Sequence, residues 1–437
     1  MARIVASFDV TEFPSIKLQM LNWTARFNIC CFLDDHHYGL SPHSYECLAG
    51  VGATQLLRTS AGSAFSELKK FSSGLNDWLF GHFAYDLKNE TEKLSSSHPD
   101  KVEFPDLLFF VPETVLQLQD KTLIISCIDC EPAQVFDEIC NTSVAEKTAG
   151  AGVTIQNRFS REEYLEAIKA LQKHILRGDC YEINFCQEFF SENAHIHPSE
   201  VYARLTEISP NPFTAFYKTE DKYLLCASPE RYLKKTGDII LSQPMKGTWE
   251  RDIVDAALDN EKKQQLYNSS KDRSENVMIV DLVRNDLSRI CEESSVQVDE
   301  LFGIYSFPQV HQMISTISGR LKPNLHWTDA IRATFPMGSM TGAPKKRVME
   351  LIEQYERTKR GLFSGAVGYV TPQGDFDFNV VIRSILYNAS SKYLSYQVGS
   401  AITFYSDPLK EYEECMLKAT AIKKVLALET STRKNSH

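Results

Sequence analysis

The stretch "DFDFNVVIRSIL", residues 375–386, has the alternating pattern of a β-strand that buries one face. Successive side chains of a strand point to opposite faces of a sheet, so every second residue shares a face. Asp377, Asn379 and Arg383 fall on one face, and the other face carries the apolar residues Phe376, Phe378, Val380 and Ile382. We therefore predict one strand through this stretch. From this strand, the Arg383 guanidinium could bind a carboxylate through two hydrogen bonds, or it could form a structural salt bridge with Asp377.

Other short runs rich in β-branched and aromatic residues also predict strands. They include "TLIISCID" (122–129), "CYEINFCQEFF" (180–190), "KYLLCAS" (222–228) and "DIILSQ" (238–243). Such strands far outnumber regular strand–helix–strand units. The sequence therefore favours the α+β class, with layers built on large and mainly antiparallel sheets.

Three helices can be placed with their ends. Ser160 and Glu163 fit a capping box at the start of one helix, and Gly178 can close it. A second helix is predicted from about Ser270 to Ile290, and the last from near Asp407 to about Glu429.

A small, flexible segment, "EKTAGAGVTIQNR" (146–158), is the best candidate for a linker. We place a soft boundary there, near residue 150. It separates an N-terminal portion, residues 1–150, from a second region, residues 151–437.

The composition is that of an ordinary globular protein, with 43% hydrophobic and 24% charged residues among 437. The formal net charge of −10 argues against nucleic acid or an anionic membrane as a partner. No stretch approaches the roughly 20 apolar residues of a membrane span, and the first residues lack the apolar core of a signal peptide. We therefore expect a cytoplasmic protein that binds neither nucleic acid nor membranes.

The 11 cysteines are scattered and often lie inside apolar runs, which is typical of reduced, buried thiols. Cys127 and Cys130 form one CxxC pair. A zinc site needs a second ligand pair, and none is evident in the sequence.

Two predicted helices each carry two acids three residues apart, which places each pair on one helix face. The pairs are Asp272 with Glu275, and Glu411 with Glu414, and Lys418 follows on the face of the second pair. Together the pairs could clamp Mg²⁺, which takes one or two protein carboxylates plus oxygens of an anionic ligand. On spacing alone, two ordinary solvated acidic faces are the commoner interpretation.

Two further stretches could carry chemistry. Glu230 in "ASPERYL" (227–233) lies at a strand end, where burial could make it a general acid, although this stretch alone favours a loop glutamate paired with Arg231. Lys246 in "LSQPMKGTWERD" (241–252) follows an apolar Pro-Met pair and precedes a Gly-Thr turn, which is an unusual setting for a surface lysine.

The order of these motifs along the chain and the residues within them resemble those of the chorismate-utilising enzyme family. The resemblance is dense from about residue 155 to 425, and "GHFAYDL" (81–87) fits it more weakly. It implies a single large unit of two stacked antiparallel β-sheets surrounded by helices, with the chorismate-binding catalytic region in residues 151–437. The motifs are "GDCYEINFCQ", "SPERYL", "PMKGT", "KDRSENVMIVDLVRNDLSR", "FPMGSMTGAPKKRVMELI", "SGAVGY", "NVVIRS" and "YEE".

The resemblance implies a role for each matching residue. Glu275 and Glu414 match the Mg²⁺ ligands, which hold the ring carboxylate through the metal, and Asp272 and Glu411 match neighbouring acids. The residues expected to bind the carboxylates of chorismate are Arg383, Tyr369, Lys418 and the backbone around Gly247, Thr248 and Gly399.

Within the family, "PMKGT" is similar to the branch that aminates chorismate to 4-amino-4-deoxychorismate, on the route to para-aminobenzoate and folate. The resemblance makes Lys246 the nucleophile that forms a covalent adduct, and Glu230 the acid that protonates the departing hydroxyl. This chemistry requires a deprotonated lysine, and we expect an apolar pocket to lower the pKa of Lys246.

Three competing functions stay open within the resemblance. Lys246 argues against anthranilate synthase component I, which typically has Ala at that position. An isochorismate or salicylate synthase shares the fold and the metal, but it uses water as the nucleophile. A non-catalytic chorismate-binding subunit would need neither Lys246 nor Glu230.

Three positions depart from the family's usual pattern. Gln312 replaces a common His, with His311 one position earlier; Glu182 stands where relatives have Gln or a water-activating Lys; and Ala401 replaces a Gly. The missing Lys argues against water as the nucleophile. The sequence has no glutaminase motif, so ammonia is expected from solution or from a separate glutamine amidotransferase subunit.

Overall fold

The computed structural model describes residues 3–38, 45–144, 152–307 and 310–427 of the chain. These residues form 22 β-strands and 12 α-helices. The strands are β1 (Ile4–Asp9), β2 (Ile29–Asp34), β3 (Cys47–Val51), β4 (Gln55–Thr59), β5 (Leu79–Phe83), β6 (Leu107–Val111), β7 (Thr114–Gln119), β8 (Thr122–Cys127), β9 (Gln156–Asn157), β10 (Glu182–Ser191), β11 (Phe213–Thr219), β12 (Lys222–Ser228), β13 (Arg231–Thr236), β14 (Ile239–Gln243), β15 (Met245–Glu250), β16 (Gln297–Ser306), β17 (Val310–Arg320), β18 (Gly342–Ala343), β19 (Ala366–Val370), β20 (Phe376–Asn379), β21 (Ser384–Asn388) and β22 (Tyr393–Ile402). The helices are α1 (Ile16–Thr24), α2 (Ala64–Ser72), α3 (Lys88–Thr91), α4 (Pro132–Cys140), α5 (Arg161–Leu176), α6 (Pro198–Ile208), α7 (Ala256–Asn268), α8 (Ser270–Ile290), α9 (Trp327–Thr334), α10 (Lys345–Tyr355), α11 (Pro408–Lys418) and α12 (Thr420–Leu426).

The strands form two large sheets in which every paired strand is antiparallel. The first has 12 strands in the order β1-β8-β7-β3-β2-β11-β12-β21-β22-β10-β18, with β9 beside β10. The second has 10 strands in the order β15-β17-β14-β13-β20-β19-β5-β6-β4, with β16 beside β17. The predicted α+β class with two large antiparallel sheets and surrounding helices is confirmed.

The sheets stack because their strands bury both faces. Along β2, Cys31 joins an apolar core that also contains Phe80 of β5 in the other sheet, whereas Cys30 and Phe32 join a second core with the helices. The contact between the sheets is close, since a Cβ on Gly50 would lie 2.6 Å from the Phe80 ring. The first core therefore joins the two sheets, and the second covers the outer face of the 12-stranded sheet.

The predicted single strand over residues 375–386 is wrong, because the stretch forms two strands in different sheets. β20 pairs in the 10-stranded sheet and β21 in the 12-stranded sheet. Arg383 lies at the crossing with a φ of +50°, a left-handed conformation that interrupts the extended backbone. The alternation holds on either side of the crossing, but the chain changes sheet there.

Two of the three helix predictions agree closely with the structure, whereas the predicted last helix is divided at Ala419 into α11 and α12, and its predicted end lies outside the described residues. α8 spans Ser270–Ile290 as predicted, and Ser160 and Glu163 form both hydrogen bonds of the capping box of α5. Gly178 follows α5 with a φ of +85°. Part of the predicted linker, residues 146–151, lies outside the described residues, and strands from both sides of it share both sheets.

All 11 cysteines are free thiols, and most are buried, as predicted. In the described part of the chain, none of the helices combines the length and the apolar character needed to cross a membrane.

Candidate functional site

A cavity of about 390 Å³ lies where β15 of one sheet, β22 of the other, α8 and α11 meet. Its volume is within the range of small-molecule sites. The fold brings into its wall all of the predicted site residues except Tyr369. They are Glu230, Lys246, Gly247, Thr248, Asp272, Glu275, Arg383, Gly399, Glu411, Glu414 and Lys418.

Lys246 on β15 points into the interior and pairs with an acid. Its Nζ donates a hydrogen bond of 2.6 Å to Oε1 of Glu182, the first residue of β10. The Lys246 side chain is 10% exposed and that of Glu182 is 1% exposed, so the ion pair is buried. The other oxygen of Glu182, Oε2, has no hydrogen-bond partner.

The predicted direction of the Lys246 pKa shift is wrong in this structure. Burial alone lowers the pKa of Lys246, but the carboxylates of Glu182, Glu275 and Glu230 outweigh burial and raise it above the usual value. The acids around the amine therefore decide the direction of its pKa shift, and the apolar Pro-Met pair before Lys246 does not. An acid beside a buried amine stabilises the ammonium form.

Glu230 is buried in the turn between β12 and β13. Burial raises the pKa of Glu230 to about 7, while the Ser339 hydroxyl and Lys246 act in the opposite direction. The pairing with Arg231 considered from the sequence is not present, because Arg231 donates two hydrogen bonds of 3.0 Å to Asp377. Glu230 thus has the burial and the pKa that suit a general acid near neutral pH.

Arg383 reaches the cavity because the chain changes sheet at its position. The salt bridge with Asp377 considered from the sequence does not form, since Asp377 is held by Arg231. Burial lowers the pKa of Arg383 to about 10, while Glu230 and Tyr38 oppose the shift. The guanidinium is therefore charged at neutral pH and available to a carboxylate of a ligand.

The four predicted metal ligands face the cavity from α8 and α11, and three of them lie beside lysines. Lys271 Nζ lies 3.8 Å from Glu275 Oε1 and 3.4 Å from Glu411 Oε1. Lys418 Nζ lies 2.9 Å from Glu414 Oε1 and donates a 3.0 Å hydrogen bond to the Gly399 carbonyl. Within the described ranges, no three His, Cys, Asp or Glu side chains are grouped closely enough to hold a metal by themselves.

Glu275 is the acid whose environment best suits a cation. Its Oε1 is buried without a hydrogen-bond partner. Burial raises the pKa of Glu275 to about 7, although Lys246 opposes the shift. A divalent cation beside this carboxylate would supply the missing partner. Mg²⁺ usually takes few protein carboxylates and completes its shell with water and ligand oxygens, so these acids fit it without a preformed cluster.

The turn after Lys246 is tightly packed against α8. Gly247 has a φ of +80°, and a Cβ there would lie 2.9 Å from Asp272 Oδ1. Thr248 Oγ1 accepts a hydrogen bond from Gln312 Nε2 at 3.3 Å. Gln312 therefore lines the cavity, whereas His311 points away and contacts Ser306 and Asp259.

Tyr369 is the predicted site residue that lies elsewhere. It lines a second, smaller cavity and packs against Tyr45, Trp78 and Phe80. Its place in β19, opposite Phe80 of β5, directs the ring into the core between the sheets. It does not reach the wall that holds Arg383.

Several polar groups of the cavity were not predicted. Gln397 and Ser400 each have a buried side-chain oxygen without a hydrogen-bond partner, and Ser339 also lines the wall. Asn184 also lines the wall, two residues after Glu182. In the sequence these residues look like ordinary strand and turn residues, so no signal distinguishes them. Unpaired buried oxygens indicate places for the polar groups of a ligand.

Comparison with known proteins gives one family and several relatives. The chorismate binding enzyme family matches residues 40–424. The chain is 35% identical over 344 residues to aminodeoxychorismate synthase component 1 of Klebsiella aerogenes, covering 78% of this chain and 75% of that relative. It is 32% identical over 375 residues to the protein of the same name from Bacillus subtilis, covering 81% and 78%.

Solved structures share the fold at lower identity. Anthranilate synthase component I from Streptococcus pneumoniae superposes with a TM-score of 0.75 at 23% identity, covering 89% of this chain and 94% of that one. The menaquinone-specific isochorismate synthase of Escherichia coli superposes with a TM-score of 0.76 at 14% identity, covering 97% and 95%. These two likenesses establish the architecture.

Proposed function

Because the chain belongs to the chorismate-binding enzyme family, we propose that it aminates chorismate with ammonia to 4-amino-4-deoxychorismate, a precursor of para-aminobenzoate. The observation that carries the proposal is the buried Lys246 amine in the cavity wall, coupled electrostatically to Glu230. Pure binding of chorismate needs neither a nucleophile nor an acid. The relatives named aminodeoxychorismate synthase component 1 support this choice within the family.

The proposed reaction divides the amination into two displacements at the ring. The neutral Lys246 amine forms a bond to C2, the ring double bonds shift, and the C4–O bond breaks as Glu230 gives its proton to the departing hydroxyl. Water leaves and a covalent adduct remains. Ammonia then bonds to C4, the double bonds shift back, and the Lys246 nitrogen leaves C2.

Each of the two negatively charged carboxylates of chorismate needs a positively charged group in the cavity. Arg383, in the cavity wall, would bind the pyruvyl carboxylate. The wall formed by α8 and α11 is acidic, so the ring carboxylate needs a cation there. Glu275 and Glu414, with Asp272 and Glu411 nearby, would hold Mg²⁺, which would supply the positive charge that the ring carboxylate needs. Lys418 and the backbone at Gly399 complete this side of the cavity.

Mg²⁺ should raise the melting temperature of the protein, and Glu275→Gln should remove most of that rise. A ligand that binds only the folded state stabilises it by RT ln(1 + [L]/Kd), so the melting temperature should keep rising as the Mg²⁺ concentration exceeds Kd. Thermal denaturation over a MgCl₂ titration, with and without a chelator, measures the effect in the absence of substrate. Asp281→Asn, on an exposed part of the same helix, is the control and should respond as the wild type does. An equal response in Glu275→Gln would place the cation elsewhere.

Ammonia is proposed to come from solution or from a separate glutamine amidotransferase subunit. The relatives named component 1 are consistent with such a partner. Because no glutaminase motif occurs in this sequence, ammonium alone should support the reaction and glutamine alone should not. Adding a glutamine amidotransferase subunit of this pathway should then make glutamine effective.

The proposal is tested by the identity of the product. The purified protein is incubated with chorismate, MgCl₂ and ammonium near neutral pH, and products are separated and weighed by liquid chromatography–mass spectrometry. We expect 4-amino-4-deoxychorismate. Anthranilate as the main product would assign the chain to tryptophan synthesis, and isochorismate formed without ammonium would make water the nucleophile.

A further inference from the structure

We propose that Glu182 is a further catalytic residue, which accepts a proton from the Lys246 ammonium and thereby generates the amine that attacks the ring. This inference rests on the proposed function, because it concerns the nucleophile of that reaction. The resemblance described from the sequence gives Gln or Lys at this position, so it assigns no role to a carboxylate there.

The geometry places Glu182 on the reacting atom. Its Oε1 is 2.6 Å from Lys246 Nζ, which is a short, charge-assisted hydrogen bond along which a proton can move. Both side chains are buried. Among the described residues, Lys246 is the only cation that forms an ion pair with Glu182.

The other acids near Lys246 have different tasks. Three carboxylates influence the amine: Glu182 from β10, Glu275 from α8 and Glu230 from the turn between β12 and β13. Glu230 must hold a proton for the departing hydroxyl, so it cannot also receive one at the same step. Glu275 belongs to the acidic wall proposed for the metal. Glu182 alone is in hydrogen-bond contact with Nζ among the residues that the structure describes.

The proton transfers balance over the full cycle. Lys246 passes one proton to Glu182, which leaves a neutral amine and a neutral carboxyl group. The amine bonds to C2 and becomes a secondary ammonium, while Glu230 loses its proton to the hydroxyl that departs as water. When ammonia bonds to C4, the Lys246 nitrogen leaves as a neutral amine and takes back the proton from Glu182. Glu230 is reprotonated from solvent, and the product leaves with its new ammonium group.

The test measures the rate of adduct formation in a single turnover without ammonium. Intact-protein mass spectrometry after rapid quenching follows the adduct in wild type and in Glu182→Gln, which keeps the shape but cannot accept the proton. We expect the variant to be slower by about 10²-fold or more, the usual contribution of a general base. The difference in rate between wild type and the variant should shrink as the pH rises, because solvent then removes the proton from the Lys246 ammonium instead. Chorismate binding, measured by equilibrium titration, should be little changed.

Glu188→Gln is the matched control. Glu188 lies on the same strand, is similarly buried, and forms an ion pair of 2.6 Å with Arg158 outside the cavity. It should lower stability without slowing the adduct. If Glu182→Gln does not fold, Glu182→Asp replaces it, because a displacement of about 1 Å can cost about 10²-fold in rate.

The outcomes separate this inference from the proposed function. An adduct in wild type that forms equally fast in a folded Glu182 variant, at every pH, would overturn the role of Glu182 and leave the amination intact. No adduct in a wild type that still forms 4-amino-4-deoxychorismate would overturn the role of Glu182 and the covalent route, and the absence of that product would overturn the amination itself. A slow variant whose deficit narrows with rising pH supports both.

Discussion

Replacing Lys246 with alanine should eliminate the covalent adduct and lower the rate of amination by at least about 10³-fold, because the nucleophile of a covalent route is removed. Chorismate should still bind, since Arg383 and the acidic wall are unchanged. Single-turnover mass spectrometry reads the adduct, and liquid chromatography–mass spectrometry reads the product. Undiminished formation of either product, 4-amino-4-deoxychorismate or anthranilate, would make Lys246 a bystander.

A loss of folding could imitate a loss of chemistry at this position. Lys246→Ala leaves the Glu182 carboxylate buried without its partner, which typically costs about 3–5 kcal/mol of stability when one member of a buried pair is removed. The double variant Lys246→Ala with Glu182→Gln removes both charges. It should regain much of the melting temperature and still form no adduct. Thermal unfolding of the single and double variants therefore separates the two effects.

Much of the fold follows from local pattern in the sequence. The α8 helix and the capping box of α5 depend on neighbouring residues, so their positions agree with the structure. The stretch 375–386 differs because both of its halves alternate, and nothing local marks the change of sheet at Arg383. Pairing between distant strands decides that change, and one sequence does not show it.

Most residues of the candidate site could be predicted from the sequence, but the direction of the pKa shift of its lysine could not. The sequence motifs identify residues of β15, α8, α11 and the crossing at Arg383, and the fold brings these residues to one cavity. The motifs misplaced Tyr369, whose side chain is turned into the core by its strand register. The sequence also predicted a lowered pKa for Lys246 from its two apolar neighbours. Burial does lower this pKa, but Glu182, 64 residues away along the chain, outweighs burial together with Glu275 and Glu230. The charge on a buried amine depends on such distant partners.

Replacing Glu230 with glutamine should slow adduct formation by about 10²- to 10⁴-fold, the range that a general acid usually contributes. Glutamine keeps the shape of the side chain but has no proton to give to the departing hydroxyl. The rate of adduct formation at saturating chorismate, followed by rapid quench, checks this expectation. Glu188→Gln serves again as the control outside the cavity. A Glu230→Gln variant that forms adduct at the wild-type rate would show that the hydroxyl leaves without this acid.

The pH dependence gives an independent test of the same residue. Burial raises the pKa of Glu230 to about 7, so its acid form is present below that pH and is lost as the pH rises through it. The wild-type rate should therefore be highest below pH 7 and fall about tenfold per unit above it, and Glu230→Gln should lack this decline.

Burial also raises the pKa of Glu275 to about 7, so that carboxylate could produce a similar decline. Saturating Mg²⁺ distinguishes the two, because a bound cation would keep Glu275 ionised throughout. A decline that persists in Glu230→Gln at saturating Mg²⁺ would assign it to a different group and leave the departing hydroxyl without its proposed proton donor.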